Sequence, residues 1–518
     1  MDKLLFNFLV LALLGLHVHG ARRTPLCSQT PHPDLCNSLV ETEPLGTVDE
    51  NWFTIRDSSL KVTLNQAQQA RELIMGMDLS LFNQRARLAW ADCLELYEDT
   101  VGLLNRSIDS TNLADTQTWL SAAVTNHETC RTGFDDFNLS SYYKSFPLMM
   151  GDYSKFLSNS LAINKAAASA MAKFSKRTRG RRRLLSGEFP AWMSARERKL
   201  LRSPELKADI VVAQDGSGNF KTISEAVAKL SRGKSKRFVV HVKSGVYKEN
   251  VVIKASNLMM IGDGIGATVV TSDRNAEGGS TTFRSATFGV SGDGFIARDM
   301  TFQNTAGPQS HQAVALRSGS DHSVFYRCSF VGYQDTLYTY TKRQFYRDCD
   351  IYGTIDFIFG NAAVIFQNCN IYVRKPMSSQ KNSVTAQGRT DPNQNTGIVV
   401  HNSRVTAASD LKPIQGSFQT YLGRPWKKYS RAVFMKSTLD SLIDPAGWEP
   451  WSGSSAPSTV YYGEYMNTGA GAGTRGRVKW PGFHVITSPT EAGRFTVENF
   501  LAGGLWIDAA GVPSTKGL

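Results

Sequence analysis

The 518-residue chain has no G-x-S-x-G elbow, no GxxxxGK(S/T) phosphate loop, and no CxxC or Cys/His zinc spacing among its seven cysteines. These absences argue against a serine hydrolase of the elbow type, a phosphate-loop nucleotide enzyme and a zinc site. Nucleic-acid motifs are missing too, although the net charge is +13. A basic chain without such motifs is expected to meet a polyanion of another kind, an acidic polysaccharide outside the cell, with solubility alone as the competing explanation. The apolar run at residues 4–16 is too short for a membrane span, and no other run is long and apolar enough to cross a bilayer. No N-x-S/T site occurs besides Asn105 and Asn138, the two glycosylation acceptors by pattern. An odd number of cysteines leaves at least one thiol unpaired.

What the chain does contain is a repeat. Gln312 to Asn361 carries FYRCSFVGYQDTLY followed by FYRDCDIYGTIDFIFGN, in which Asp335 and Asp356 each lie seven residues after a cysteine, Cys328 and Cys349. Both pairs are 21 residues apart. The pattern continues as FIARDMTF, IFQNCNI, VVHNSRV and VFMKSTL, with equivalent positions at Met300, Cys328, Cys349, Cys369, Ser403 and Ser437. This period, with its β-branched and aromatic enrichment, predicts a solenoid of stacked strands, a parallel β-helix. Stacked strands lie about 4.8 Å apart, so acids one coil apart and in register are spatial neighbours. Gln312 and Gln334 supply amide donors beside them, Tyr338 and Phe359 aromatic surface, and Gly353 and Gly360 sharp turns.

The first part of the chain is different. MDKLLFNFLVLALLGLHVHG has the layout of a secretory signal over residues 1–20, which suits seven cysteines and an oxidising compartment. From Thr63 to Arg87, Arg87 to Leu104, Thr116 to Thr129 and Tyr153 to Phe174 apolar residues recur at helical spacing. That predicts an all-α bundle of about four helices over 21–172, after a hairpin LCSQTPHPDLC. Residues 1–172 carry net −6, 173–207 net +9 and 208–518 net +10. The middle segment, dense in Lys and Arg with Gly, Ser and Pro, reads as an exposed linker open to proteolysis. The segment ADIVVAQDGSGNFKTISEAVAKL is expected to cap the first coil, and RFTVENFLAG to belong to a C-terminal cap.

GVYKENV, QAVALR, GYQDTLY, DFIFGN and LGRPW occur in this order from Gly245 to Trp426. They resemble the signature blocks of plant pectin methylesterases, and the resemblance spans 208–518. ARLAWADCLELYEDTVGLLNRS and TWLSAAVTNHETC are similar to pectin methylesterase inhibitor domains. The resemblance implies a right-handed β-helix acting on methyl-esterified pectin; with metal-ligand spacing missing and the Asp335 and Asp356 pair present, no cofactor or metal is expected. It implies Asp356 as nucleophile, Asp335 as acid then base, Gln312 and Gln334 around the oxyanion, and Arg424 holding Asp356 ionised. Thr282, Gln312, Arg424 and Trp426 are the matched substrate positions, while Tyr338, Phe359 and Trp448 look like aromatic walls. Of the three pairings open to the first four cysteines, it implies Cys27–Cys36 and Cys93–Cys130. Arg182, Arg183, Leu184 and Leu185, and likewise Arg198, Lys199, Leu200 and Leu201, resemble the family's sites for a processing protease. A separate inhibitor-domain protein is a further possible partner, and the mature protein is expected to be secreted to the cell wall, off any membrane and away from nucleic acid.

On the repeats, Cys349 and Cys369 occupy consecutive rungs; stacked thiols are equally reasonable, and secretion tips the expectation to a disulfide. His311 next to Gln312 is expected to be peripheral. The chemistry fits an ester: an ionised carboxylate attacks, and a protonated one serves the departing methoxide. Adjacent acids resist ionising together, which separates their roles. Two other readings compete. One is a β-helix polygalacturonase or pectate lyase, the first with a glycosidase carboxylate pair and the second with a calcium site. The other is a non-catalytic inhibitor or wall-binding protein, against which the acid, amide and arginine set stands.

Overall fold

The computed structural model describes residues 26–41, 52–137, 147–178, 207–230, 237–452 and 458–518. The apolar leader, Asn138 and both basic tetrapeptides lie outside the described residues.

A short helix α1 (Pro33–Glu41) and four long ones, α2 (Trp52–Met75), α3 (Gln84–Asp109), α4 (Leu113–Asp135) and α5 (Pro147–Thr178), make up the first part. The boundary read at Arg87 is displaced. Helix α2 stops at Met75 ahead of Gly76, and the Asn83 side chain accepts from Ala86 N at 2.8 Å to start α3. The supposed hairpin is a 3₁₀ turn, Cys27–Gln29, followed by α1, and α5 runs to Thr178, into the stretch read as linker. Cys27 is joined to Cys36, and Cys93 of α3 to Cys130 of α4. Asn105 sits on an exposed face of α3, its amide donating to Val101 O at 3.0 Å.

The second part is a parallel β-helix of a seventeen-stranded and a seven-stranded sheet. The smaller sheet contains β1 (Val251–Ile253), β2 (Phe288–Val290), β3 (Leu316–Ser318), β4 (Leu337–Thr339), β5 (Ile358–Gly360), β6 (Asn382–Gln387) and β7 (Thr420–Gly423). They stack in chain order, each parallel to the next. Residues of equal rung therefore form ladders up the coil. Inside, the aromatic ladder Phe325–Tyr346–Phe366 stacks with 4.6 Å between successive rings. Helix α6 (Ile223–Ala228), set by a capping box between Thr222 and Glu225, buries Ile223 and Ala226 against Val212 of the first coil.

Two expectations are corrected. The ladder Cys328, Cys349, Cys369 exists, since Ser329 pairs with Asp350 and Asp350 with Asn370, but all three cysteines are buried free thiols. In-register neighbours of a parallel sheet point the same way, so their Cβ atoms stay about 4.8 Å apart, wider than the 3.5–4.5 Å a disulfide needs. The Cys349 and Cys369 thiols donate to main-chain carbonyls instead, Phe325 O at 3.4 Å and Gln367 O at 3.5 Å among them. RFTVENFLAG closes no end of the coil. Phe495, Val497 and Leu501 pack with Ile365, Val399 and Val433, the outward residues of the large sheet, and so cover its flank.

The bundle lies on the outer face of the small sheet. Leu96, Tyr97, Leu120, Phe134 and Tyr153 of the bundle form one continuous apolar cluster with Phe283, Tyr338, Tyr340 and Phe359 of the β-helix. Around it run ion pairs: Asp92–Arg284 at 2.5 Å, Glu95–Lys254 at 3.2 Å, Arg106–Asp293 and Asp115–Arg343, both at 2.7 Å. Asp92, Glu95 and Asp99 fall on one face of α3 by helical spacing, which aims three carboxylates at the basic part.

Candidate active site

Asp335 and Asp356 stand just before β4 and β5, where Leu337 pairs with Ile358. The 21-residue period thus becomes one rung, and the two acids are adjacent. Asp335 N donates to Ile355 O at 3.0 Å. Both acids adopt left-handed backbone, φ 60° and 50°, a conformation that costs a non-glycine residue about 1–3 kcal/mol and collects at functional sites. The turn between them needs Gly353, where a Cβ would lie 2.2 Å from Phe357 Cβ. Gly360, at φ 125°, would place one 2.1 Å from Thr339 O.

Arg424 follows β7 and reaches back as a fork. Its Nε and Nη2 donate to Asp356 Oδ1 and Oδ2, each at 2.8 Å. Both acids are buried, at 7% and 4% exposure. Burial, then the neighbouring Asp356, push Asp335 well above the ordinary carboxylate range. Burial raises Asp356 as well, but against the hydrogen bonds and charge of Arg424 and a hydrogen bond from Ser383. The opposing pull of Arg424 acts on Asp356, so the arrangement favours the pair's proton on Asp335 over Asp356.

Gln312, Gln334, Thr282, Tyr338, Phe359 and Trp426 join the two acids and Arg424 around one cavity of about 170 Å³. Tyr338 and Phe359 stack at 4.2 Å, with Trp426 edge-on at 6.5 and 6.0 Å. Trp448 is not part of it: 1% exposed, it stacks on Tyr462 in the β-helix core and donates to Glu464 Oε1 at 3.3 Å. Trp451, three residues on and 41% exposed, lines the cavity with Arg424 4.4 Å above its ring. His311 is not among the lining residues and sits 3.7 Å from Glu277. Among the described residues, no group of three or more His, Cys, Asp and Glu side chains could hold a metal ion.

Sequence reasoning also missed Thr281, Phe283 and the far wall of the cavity. That wall is the bundle: Asp92 from α3, and Thr129, Thr132, Gly133 and Asp136 from α4 and its end. Asp92 is 2% exposed and accepts from Thr281 Oγ1 at 2.5 Å. Tyr340, on the same face, donates to Asn126 Oδ1 at 2.6 Å. The advance signals of this closure were the opposite charge of the two parts and the inhibitor-like blocks of the first.

The family profile described as "Pectinesterase" matches residues 209–504, and that described as "Plant invertase/pectin methylesterase inhibitor" matches 24–163. "Pectinesterase 2" of Citrus sinensis is 52% identical over 495 residues, covering 95% of this chain and 94% of its own. "Probable pectinesterase/pectinesterase inhibitor 6" of Arabidopsis thaliana is 53% identical over 527, with 95% and 93% covered. The solved pectin methylesterase from carrot is 58% identical with a TM-score of 0.60, spanning 61% of this chain and 100% of that one.

Proposed function

The chain belongs to the pectinesterase family, whose members hydrolyse the methyl esters of pectin to pectate and methanol, and from that premise we propose that Asp356 is its nucleophile and Asp335 its acid and base. The observation that carries the assignment is the Arg424 fork, which neutralises one acid of an adjacent buried pair and leaves the other to keep the proton. Asp356 attacks the ester carbonyl carbon, and the carbonyl π electrons move to oxygen, where the Gln312 and Gln334 amides stabilise the oxyanion. Collapse breaks the bond to methoxide, which leaves as methanol with the Asp335 proton. Water then attacks the acyl-enzyme while Asp335 takes its proton, releasing the galacturonate carboxylate and restoring Asp356. Thr282, Trp426, Tyr338, Phe359 and Trp451 position the sugars.

The bundle acts as a pro-region that keeps the site silent, a role supported by its carboxylates and α4 closing the cavity. The protein is directed out of the cell by residues 1–20 and cut at Arg182–Leu185 or Arg198–Leu201, after which the two parts separate. Basic charge holds the catalytic part on demethylated pectin in the wall, and Asn105 and Asn138 carry glycans.

The test follows methanol, reducing ends and unsaturated product together, with a chelator present, from the full chain before and after cutting at an engineered linker site. Methanol alone, released only after cutting, is expected. Reducing ends without methanol, or calcium-dependent unsaturated product, would overturn the esterase mechanism; full activity from the verified uncut chain would overturn the silencing.

A further inference from the structure

Gln334 and Asp335 stand on the loop of residues 332–335 ahead of β4, and Asp356 ends the loop of 353–356 ahead of β5, one coil on. The two loops hold each other through the main chain. Thr354 N donates to Tyr333 O at 2.9 Å and Asp335 N to Ile355 O at 3.0 Å. Arg374, the residue after the large-sheet strand Asn370–Val373 of the following coil, reaches both loops. Its main-chain N donates to Gly353 O at 2.7 Å. Its side chain goes further back: Nη1 donates to Gly332 O at 2.9 Å and Nη2 to Tyr333 Oη at 2.7 Å. The guanidinium carbon lies 3.8 Å from the centre of the Tyr333 ring.

A surface ion pair would be the ordinary account of an arginine side chain 22% exposed, and Asp410 lies beside it. That contact is the longest Arg374 makes, Nε to Asp410 Oδ2 at 3.4 Å, and it goes to a carboxyl group 36% exposed. Exposed pairs of this kind contribute little. The short contacts all go to the loop of Gln334 and Asp335. That loop needs fixing, because it is a tight turn outside any strand. A Cβ on Gly332 would fall 2.7 Å from Thr336 Oγ1, and Asp335 is left-handed at φ 60°. Such a conformation persists only where the surroundings over-determine it. Arg374 is not among the residues lining the catalytic cavity, so its reach to the chemistry runs through the loop.

We propose that Arg374 is a positioning residue of the esterase: by clamping Gly332 and Tyr333 it fixes the loop that aims the Gln334 amide at the oxyanion and Asp335 at the departing methoxide. This rests on the esterase reading above. Gln334 and Asp335 directly follow the clamped pair, so a shift of that pair carries over to both. A misplacement of about 1 Å at reacting groups costs about 100-fold in rate. The main-chain bond from Arg374 to Gly353 survives a change of side chain, which separates the loop of Gln334 from that of Asp356.

The experiment measures kcat and KM for methanol release from methyl-esterified homogalacturonan by the full chain cut at an engineered linker site. Arg374→Met should lower kcat about tenfold and leave KM within about twofold, since the walls that hold the sugars are untouched. Arg374→Lys, which reaches one acceptor where the fork reaches two, should recover part of the loss. Tyr333→Phe keeps the ring and removes one hydrogen bond, and should lose about threefold. With Gln334 already truncated to Ala its aim no longer matters, so adding Arg374→Met should cost about threefold there rather than tenfold. The same comparison with Tyr333→Phe serves if Arg374→Met does not fold. Equal factors in both backgrounds, which a merely structural role would give, overturn the proposal. So does an unchanged kcat in folded Arg374→Met or, failing that, in Tyr333→Phe, and so does a rise in KM alone. Gln334→Ala at the wild-type rate, or no methanol from wild type, would instead refute the esterase reading.

Discussion

Replacing Arg424 by Met, which keeps most of the volume and removes the fork, isolates what holds Asp356 ionised. The carboxylate would lose two charge-assisted hydrogen bonds of 2.8 Å in a site where it is 4% exposed. Such bonds are worth about 1.5–3 kcal/mol each; with water taking up part of the loss, about 3 kcal/mol remains, or roughly two pKa units. The sign is upward. Arg424 opposes the rise that burial imposes on Asp356, so its removal lifts that carboxyl further and the ionised nucleophile survives only at higher pH. Leaving the charge in place unpaired would cost about 3–5 kcal/mol, which favours protonation. In a pH–rate profile of methanol release by the cut chain, the acid limb should move about two units alkaline, with about a 100-fold loss below the old limb and partial recovery above the new one. A loss by one constant factor across the whole profile, with the limb unmoved, would refute the reasoning and make Arg424 a positioning residue only.

Asp356→Asn and Asp335→Asn should each lower methanol release at least about 100-fold, and near wild-type rates in either folded variant would remove it from the mechanism. Trp448→Ala should destabilise the β-helix by about 3–5 kcal/mol in a denaturant melt, whereas Trp451→Ala should leave the melt unchanged and raise KM; the reverse pattern would exchange their roles. Thiol titration should find Cys328, Cys349 and Cys369 silent in the native protein and all three reactive once unfolded, burial having pushed Cys328 up to about 12; two equivalents missing after unfolding would mean a bridge. Burial at the bundle contact pushes Asp92 up to about 6, so docking takes up a proton, holds best below the ordinary value near 4 and weakens as pH climbs through 6; silencing by the uncut chain should follow, and an equally steep pH dependence in Asp92→Asn would contradict it.

The sequence by itself determined the β-helix and the meeting of Asp335 with Asp356, because a parallel coil converts a fixed spacing along the chain into one rung in space. The same rule placed Met300, Cys328, Cys349, Cys369, Ser403 and Ser437 on one ladder, and each paired strand agrees. Arg424, 68 residues from Asp356, carried no such signal. Its role was legible only through the LGRPW block. Tertiary structure alone decided which tryptophan of GWEPW faces the groove, since residues three apart leaving a strand bridge can fall on either side of the wall. It decided that rung-to-rung cysteines stay thiols, because parallel Cβ vectors do not converge. It also decided that the acidic bundle lies over the catalytic face, with Asp92 inside the cavity. Opposite net charge gives attraction without register; the register came from Tyr340, Phe283 and Tyr338 fitting against α3 and α4, a match of shapes that no single stretch of either part contains.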